Sequence, residues 1–176
     1  MKKIDLELKE LSANPQNIKD YSRFHKDGKQ RLGIAASIIR KLSSRYFKEI
    51  KHEEKQLILS LCTRMLDAGK SSYMEIAFDW AFRLEKHYQS EDFEIFESWL
   101  ENHVDNWGSC DDLCTHAFGA FLFRFPEFLP RAEQWTKSTS KWVRRASAVV
   151  LIFSLRRMKH LKEALKVAEN LLSDSE

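Results

Sequence analysis

The stretch ENHVDNWGSCDDLC, residues 101–114, sets a tryptophan, a glycine and two adjacent aspartates around one helix entrance. An aromatic face attracts a cation or stacks on a base. A carboxylate stabilises positive charge that develops beside it during a reaction. Asp111 follows Trp107 by four residues, so a carboxylate left free there could serve a reaction with the tryptophan as its wall. Each residue also has a plain structural role open to it. Trp107 can fill a core or staple a helix start. Asp111 and Asp112 can complement the dipole of a helix capped by Ser109, with Asp112 closing a capping box. Capping explains Asp112 well and Asp111 only loosely, and Gly108 permits backbone shapes that other residues resist.

A second stretch, KWVRRASAVV at 141–150, puts Arg145 on one helix face with Trp142 and Val149. A cation on a stripe that is otherwise apolar must reach a partner or solvent. Two compatible destinations are an acid such as Asp111 or Asp112 and a nucleic-acid phosphate gripped through two nitrogens. Arg144 points elsewhere and is expected to face solvent. Cys110, Cys114, His116 and His103 invite a metal reading, but their spacing matches no common zinc pattern and supplies no evident fourth ligand. No metal or other cofactor is expected. Nothing resembles a phosphate-binding glycine loop or a nucleophile elbow.

The elements that must position these residues read as helices. Five glycines, three prolines and almost no alternating apolar stretches point to an all-α chain. Helical spacing predicts helices over 34–47, through Ile38, Ile39, Leu42 and Tyr46, and over 52–68, through Leu57, Leu59, Leu61, Met65 and Leu66. Further helices are predicted over 73–88, with Ser72 and Glu75 as a capping box, and over 91–104. One over 109–125 is stopped by Pro126, and a short one covers 127–136. Ser140 should cap 141–157, and a last helix over 159–172 carries Leu161, Leu165, Ala168 and Leu172. Grouped as 34–68, 73–104, 109–136 and 141–172, successive pairs start about 30–40 residues apart, the interval of helical repeat arrays. The expected organisation is a single helical-repeat domain over 1–176, a solenoid of antiparallel helix pairs, with a compact helical bundle as the alternative. Its last apolar stripe must pack inward, await a further capping helix, or be covered by a partner.

Size and composition fit that picture. A chain of 176 residues with 43% hydrophobic and 31% charged residues can bury a core and is neither disordered nor membrane-embedded. Its longest apolar run, ASAVVLIFSL at 146–155, is about half of what a bilayer span needs. The start MKKIDLELKE does not look like a signal peptide, and three cysteines argue against a disulfide framework, so a reducing cytoplasm is the expected location. The net charge of +3 is unevenly spread. Between Ser71 and Asp112 eleven acids face Arg83 and Lys86, whereas between Arg131 and Lys166 ten bases face Glu133 and Glu163. The basic part either meets phosphates or forms solvated helix faces.

Four stretches together resemble a known family. DNWGSCD at 105–111 is similar to a pattern NNW-D-L-x-D, and KWVRRASA at 141–148 to W-x-R-R-x-A. RLGIAASIIRKLSSRY at 31–46 and the tail LKEALKVAENLLSD fit in the same order. These are motifs of the DNA alkylation repair enzymes built from HEAT-like repeats, and the resemblance runs from about Lys19 to the end. It implies a HEAT-like fold and a DNA glycosylase acting on N3- and N7-alkylated purines in double-stranded DNA, with no cofactor and no membrane association. It also implies Trp107 as the first active-site tryptophan, Asp111 as the catalytic carboxylate and Arg145 as the phosphate-contacting arginine. Lys141, Trp142 and Arg144 of the same segment, and Tyr21 as an N-terminal aromatic, would add DNA contacts. The chain departs from the pattern at Gly108 and Ser109, where the family has an acid and a leucine. It also lacks the family's second tryptophan, carried in GWxLRE. The cleft would then have one wall, or the second wall would lie beyond residue 176. A helical-repeat module that binds DNA or protein without chemistry is the alternative function.

Overall fold

Helices make up nearly all the regular structure of the computed structural model, which describes residues 1–22 and 32–176. Arg31, the first residue of the upstream motif, lies outside the described residues. The chain divides into two compact units, Met1–Ala81 and Phe82–Glu176. The fold is all-α, of packed helix pairs in a helical-repeat arrangement.

In the first unit, α1 (Lys2–Ala13) leads into a two-stranded antiparallel hairpin, β1 (Ile18–Asp20) with β2 (Leu32–Ile34), Ile18 facing Ile34. Helices α2 (Ala36–Ile50), α3 (Lys55–Asp67) and α4 (Ser71–Arg83) follow. Neither α1 nor the hairpin figures among the elements read from the sequence. Ile4 and Leu8, one turn apart, bury the inner face of α1. Its outer acids bind neighbouring helices: Asp5 accepts from Lys70 and the Tyr73 hydroxyl, and Glu7 from Arg45 and the Tyr46 hydroxyl. The core below is built by Ile39, Leu42, Ile58, Cys62, Met65, Ile76 and Trp80, all buried. Ser43 joins α2 to α4, since its hydroxyl bonds Asp79 and its carbonyl accepts from Trp80 Nε1. Ser72 lies inside α4, which begins at Ser71, so it does not cap as expected.

The second unit holds α5 (Asp92–His103), α6 (Trp107–Thr115), α7 (Ala117–Arg124), α8 (Leu129–Gln134), α9 (Lys141–Val149), α10 (Ile152–Leu155) and α11 (Leu161–Leu171). Its centre is aromatic. Phe93 stacks on Phe128 with centroids 4.5 Å apart, Phe118 meets Trp135 at 5.1 Å and Phe121 meets Phe125 at 4.9 Å. Glu97, buried beside this cluster, accepts from Trp135 Nε1 at 2.7 Å and from Arg131 through both Nε and Nη2.

Two helices expected to be continuous are broken. The one over 109–125 is α6 and α7, hinged at His116, whose backbone is non-helical at φ −119° and ψ −95°. Thr115 bonds the Asp111 carbonyl and His116 Nδ1 the Asp112 carbonyl, taking acceptors that a continuing helix would use. Gly119 makes the fold-back possible: a Cβ there would lie 2.4 Å from the Cys114 carbonyl oxygen and 2.8 Å from Phe153 Cβ. The helix over 141–157 is α9 and α10, tightened to an i−3 hydrogen bond at Leu151. Before α11, Met158 and His160 both take left-handed backbone, with φ 54° and 57°.

Candidate active site

Helix α6 begins at Trp107, two residues earlier than expected, and its cap is Asn106. The Asn106 side-chain oxygen accepts from Ser109 N at 3.0 Å, while Ser109 Oγ bonds Asn106 N at 3.3 Å. This is a capping box, but Ser109 is its inner member and not its cap. Asp112 therefore has no part in it. Asp111 and Asp112 both lie beyond the first turn, where the helix dipole has little left to offer them. Asp112 instead meets His116 Nδ1 at 3.3 Å, one turn on. The signal for this cap in the sequence is Asn106 itself, a preferred N-cap residue, and Ser109 competes with it for the same role. Gly108 suits the cap, because a Cβ there would come within 3.2 Å of the Asn106 acceptor oxygen.

Helix α6 packs on α9. Cys110, Leu113 and Cys114 from one and Val143, Ala146 and Ser147 from the other fill the seam. The Cys110 thiol bonds the Trp142 carbonyl across it at 3.7 Å. Burial pushes the Cys114 thiol well above its usual range, with the neighbouring Cys110 adding to the effect. Both cysteines are fully buried and serve as packing groups. Among the described residues, no three His, Cys, Asp or Glu side chains gather in a way that could hold a metal ion.

Trp107 and Asp111, one turn apart, project beside this seam. Across it, Arg145 donates from Nε to Asp111 Oδ1 at 3.0 Å, and from Nη2 to Oδ1 at 2.8 Å and to Oδ2 at 3.1 Å. Its guanidinium carbon also lies 5.9 Å from the centre of the Trp107 ring. The three residues form one constellation of aromatic face, guanidinium and carboxylate. It is open to solvent: Trp107 is 37% exposed, and the side chains of Arg145 and Asp111 are 38% and 46% exposed. Of the two destinations, the acid is the one that Arg145 occupies. A concavity of about 380 Å³ lies elsewhere in the second unit, lined by Leu129, Leu151, His160 and Val167 among others. None of the three residues borders it.

The other expected site residues are placed as follows. Lys141 sits over the Trp142 ring at 5.1 Å and 3.5 Å from Glu176. Arg144 departs from expectation, because it does not face solvent. Its side chain is only 19% exposed, binds Asp174 through Nε and Nη2, and donates to the carbonyls of Ser138 and Thr139. This pairing holds the Asp174 carboxyl below its usual range. Arg144 thereby ties the start of α9 to the segment after α11. Tyr21 belongs to the first unit, where its hydroxyl donates to the Ile34 carbonyl and accepts from Ala36 N, closing the start of α2. No described helix is long and apolar enough to cross a membrane.

Comparison with curated proteins found no match. A family model described as DNA alkylation repair enzyme matches residues 4–176, which takes in all but the first three residues. With nearly its whole length matched, the chain belongs to the DNA alkylation repair enzyme family, whose role is DNA repair.

Proposed function

We propose that the protein is a DNA glycosylase that releases N3- and N7-alkylated purines from duplex DNA. The observation that carries this reading is the meeting of Trp107, Asp111 and Arg145 on one solvent-open patch. Alkylation at N3 or N7 leaves a positive charge on the purine and makes it a good leaving group. As the glycosidic bond breaks, its electron pair goes to the base and positive charge builds on the sugar. Asp111 stabilises that charge, as carboxylates do in other glycosyl transfers. Water then adds its oxygen to the sugar carbon and loses a proton. Trp107 offers a face that already accommodates a cation, namely Arg145, and that suits the cationic base or sugar equally. Arg145 serves as the phosphate contact and holds Asp111 in place, while Lys141 and Trp142 extend the DNA-binding surface. Arg144 contributes by fixing α9.

One observation favours a second reading. Both Asp111 oxygens accept from Arg145, so the carboxylate charge is compensated where it stands. A helical-repeat module that binds DNA without chemistry needs no more than this. The deciding experiment incubates the protein with alkylated duplex and measures free N7-methylguanine and N3-methyladenine. Release by the unaltered protein that is lost in Asp111→Asn supports the glycosylase. Equal release by both rejects Asp111 as the carboxylate, and salt-dependent binding without release supports the module.

A further inference from the structure

The second unit carries a basic edge that the patch around Asp111 does not use. Three turns meet there: residues 85–87 between α4 and α5, 124–128 at the end of α7, and 156–160 after α10. Arg124 Nη1 donates to the Glu85 carbonyl at 3.0 Å and to the Lys86 carbonyl at 2.7 Å, which joins the first turn to the second. The Phe123 ring meets that of His160 at 6.4 Å and lies 5.5 Å from the Arg157 guanidinium, which joins the second to the third. These turns hold five bases, Lys86, Arg124, Arg156, Arg157 and Lys159, against two acids, Glu85 and Glu127, so the edge is positive even with its histidines neutral.

Two of the cations are fixed by groups that leave their charge standing. Arg157 rests on the Phe153 ring, its guanidinium carbon 3.6 Å from the centre, and donates from Nη1 to the Phe153 carbonyl at 2.9 Å. Arg124 adds to its two carbonyl bonds a place 5.6 Å from the centre of the Phe125 ring. Carbonyls and aromatic rings carry no net charge, whereas Arg131, Arg144 and Arg145 each sit on a carboxylate. Among the described residues none of the five bases on the edge has an acidic partner. A solvated arginine gives up side-chain freedom when it takes a ligand. One that is already stacked and bonded has given it up beforehand, and each of these two spends only Nη1 in doing so. The remaining nitrogens suit a two-point contact with phosphate.

All five bases are exposed. Turns on this edge stay open when further helices are stacked behind them. Lys86 and His87 are exposed although α6 to α8 follow, and Pro126 and Glu127 although α9 to α11 follow. The openness of 156–160 therefore does not depend on what packs against α11.

We propose that this edge is a second binding surface for duplex DNA, on which Arg124 and Arg157 take backbone phosphates away from the damaged nucleotide. The inference rests on DNA as the substrate, which the glycosylase and the binding module share. Arg157 follows Arg145 by twelve residues along α9 and α10. That is roughly 18 Å at 1.5 Å per helical residue, or about five nucleotides of one strand. The edge thus steadies the duplex at a distance from the patch and reads no base.

Anisotropy titrations of an undamaged duplex over a salt series test this. Arg124→Gln and Arg157→Gln should each reduce the slope of log affinity against log salt by about 0.9, and the double variant by about twice that. Glu127→Lys adds a cation to the same edge and should steepen the slope, a gain that no loss of folding can produce. Glu101→Lys makes the same change of charge near the far end of α5 and should leave the slope almost as it was. Far-UV spectra check that each variant is folded. Slopes unchanged in folded Arg124→Gln and Arg157→Gln overturn the proposal while leaving the patch and its glycosylase reading untouched. Equal effects of Glu127→Lys and Glu101→Lys also overturn it, since they would mean a general attraction and not a surface. An unaltered chain that binds no duplex at all rejects this inference together with both readings of the patch.

Discussion

Arg145→Ala and Asp111→Asn break the same ion pair, yet they should differ in every functional readout. The members of the pair are 38% and 46% exposed. Exposed pairs contribute about 0.2–1 kcal/mol, because solvent screens them and long side chains lose freedom in making them. Arg145→Ala also removes the cation from Trp107, a contact of about 0.5–1 kcal/mol at such a site. The expected loss of stability is up to about 1 kcal/mol for Asp111→Asn and about 2 kcal/mol for Arg145→Ala. In a chain of this length that lowers Tm by about 2–4 °C and about 4–8 °C. On DNA the order of severity reverses. Asp111→Asn keeps the cation, so its binding and the salt dependence of that binding should match the unaltered protein. Its single-turnover base release should fall by about 100- to 1,000-fold, the usual consequence of losing one group that stabilises transition-state charge. Arg145→Ala gives up one phosphate contact, so the slope of log affinity against log salt should shrink by about 0.9. Anisotropy titrations of alkylated duplex over a salt series measure the slopes, and quench assays with enzyme in excess measure release. If Asp111→Asn releases bases as fast as the unaltered protein while losing the expected stability, the carboxylate is a packing partner of Arg145. If the salt slope of Arg145→Ala is unchanged, Arg145 does not meet a phosphate.

Three further outcomes test the framework around the patch. Gly119→Ala pushes a methyl group to 2.4 Å from a backbone oxygen that cannot withdraw, so urea unfolding should show a loss of about 1–3 kcal/mol or more. Glu97→Ala leaves the buried Trp135 N–H without its acceptor while Arg131, more than half exposed, turns to water. The expected cost is about 1–3 kcal/mol, with Glu97→Gln milder because an acceptor remains. Hydrogen bonds from Lys70 and Tyr73 hold the Asp5 carboxyl at about 2, below the ordinary 3.8. A depressed carboxyl stabilises the fold fully above its unfolded value and ceases to do so as pH falls through the folded one. Asp5→Asn should therefore be less stable than the unaltered chain near pH 5, and the difference should close between about pH 4 and pH 2 by thermal melts.

The helices legible in the sequence are those whose apolar residues keep a long 3.6-residue period, such as α2 and α3. What escaped was governed by contacts distant in the chain. The strands of the hairpin are three residues each, too short for alternation to show, and Tyr21 closes the start of α2 from fifteen residues upstream. Helix α1 is anchored by Lys70, Tyr73, Arg45 and Tyr46, none of which is a neighbour in sequence. The breaks at His116 and Leu151 arise where Gly119 lets α7 approach Cys114, Val150 and Phe153. Periodicity carries on through such breaks, because both halves still bury apolar faces.

The site was legible in a different way. Trp107, Asp111 and Arg145 stand out by residue type, and the structure brings all three together, though not for the local reason that the sequence suggests. In the sequence Ser109 reads as the cap with Asp112 sharing in it, which leaves Asp111 spare by subtraction. With Asn106 as the cap, helix α6 begins earlier and both aspartates fall outside the first turn. Asp112 then takes His116, and Asp111 reaches across the seam to Arg145. Capping no longer explains either acid. What holds Asp111 at the surface is a cation on another helix, itself resting against an aromatic face. Such a carboxylate is fixed in place without being sealed from solvent. The proposed glycosylase asks both of the group that stabilises charge developing on an incoming sugar.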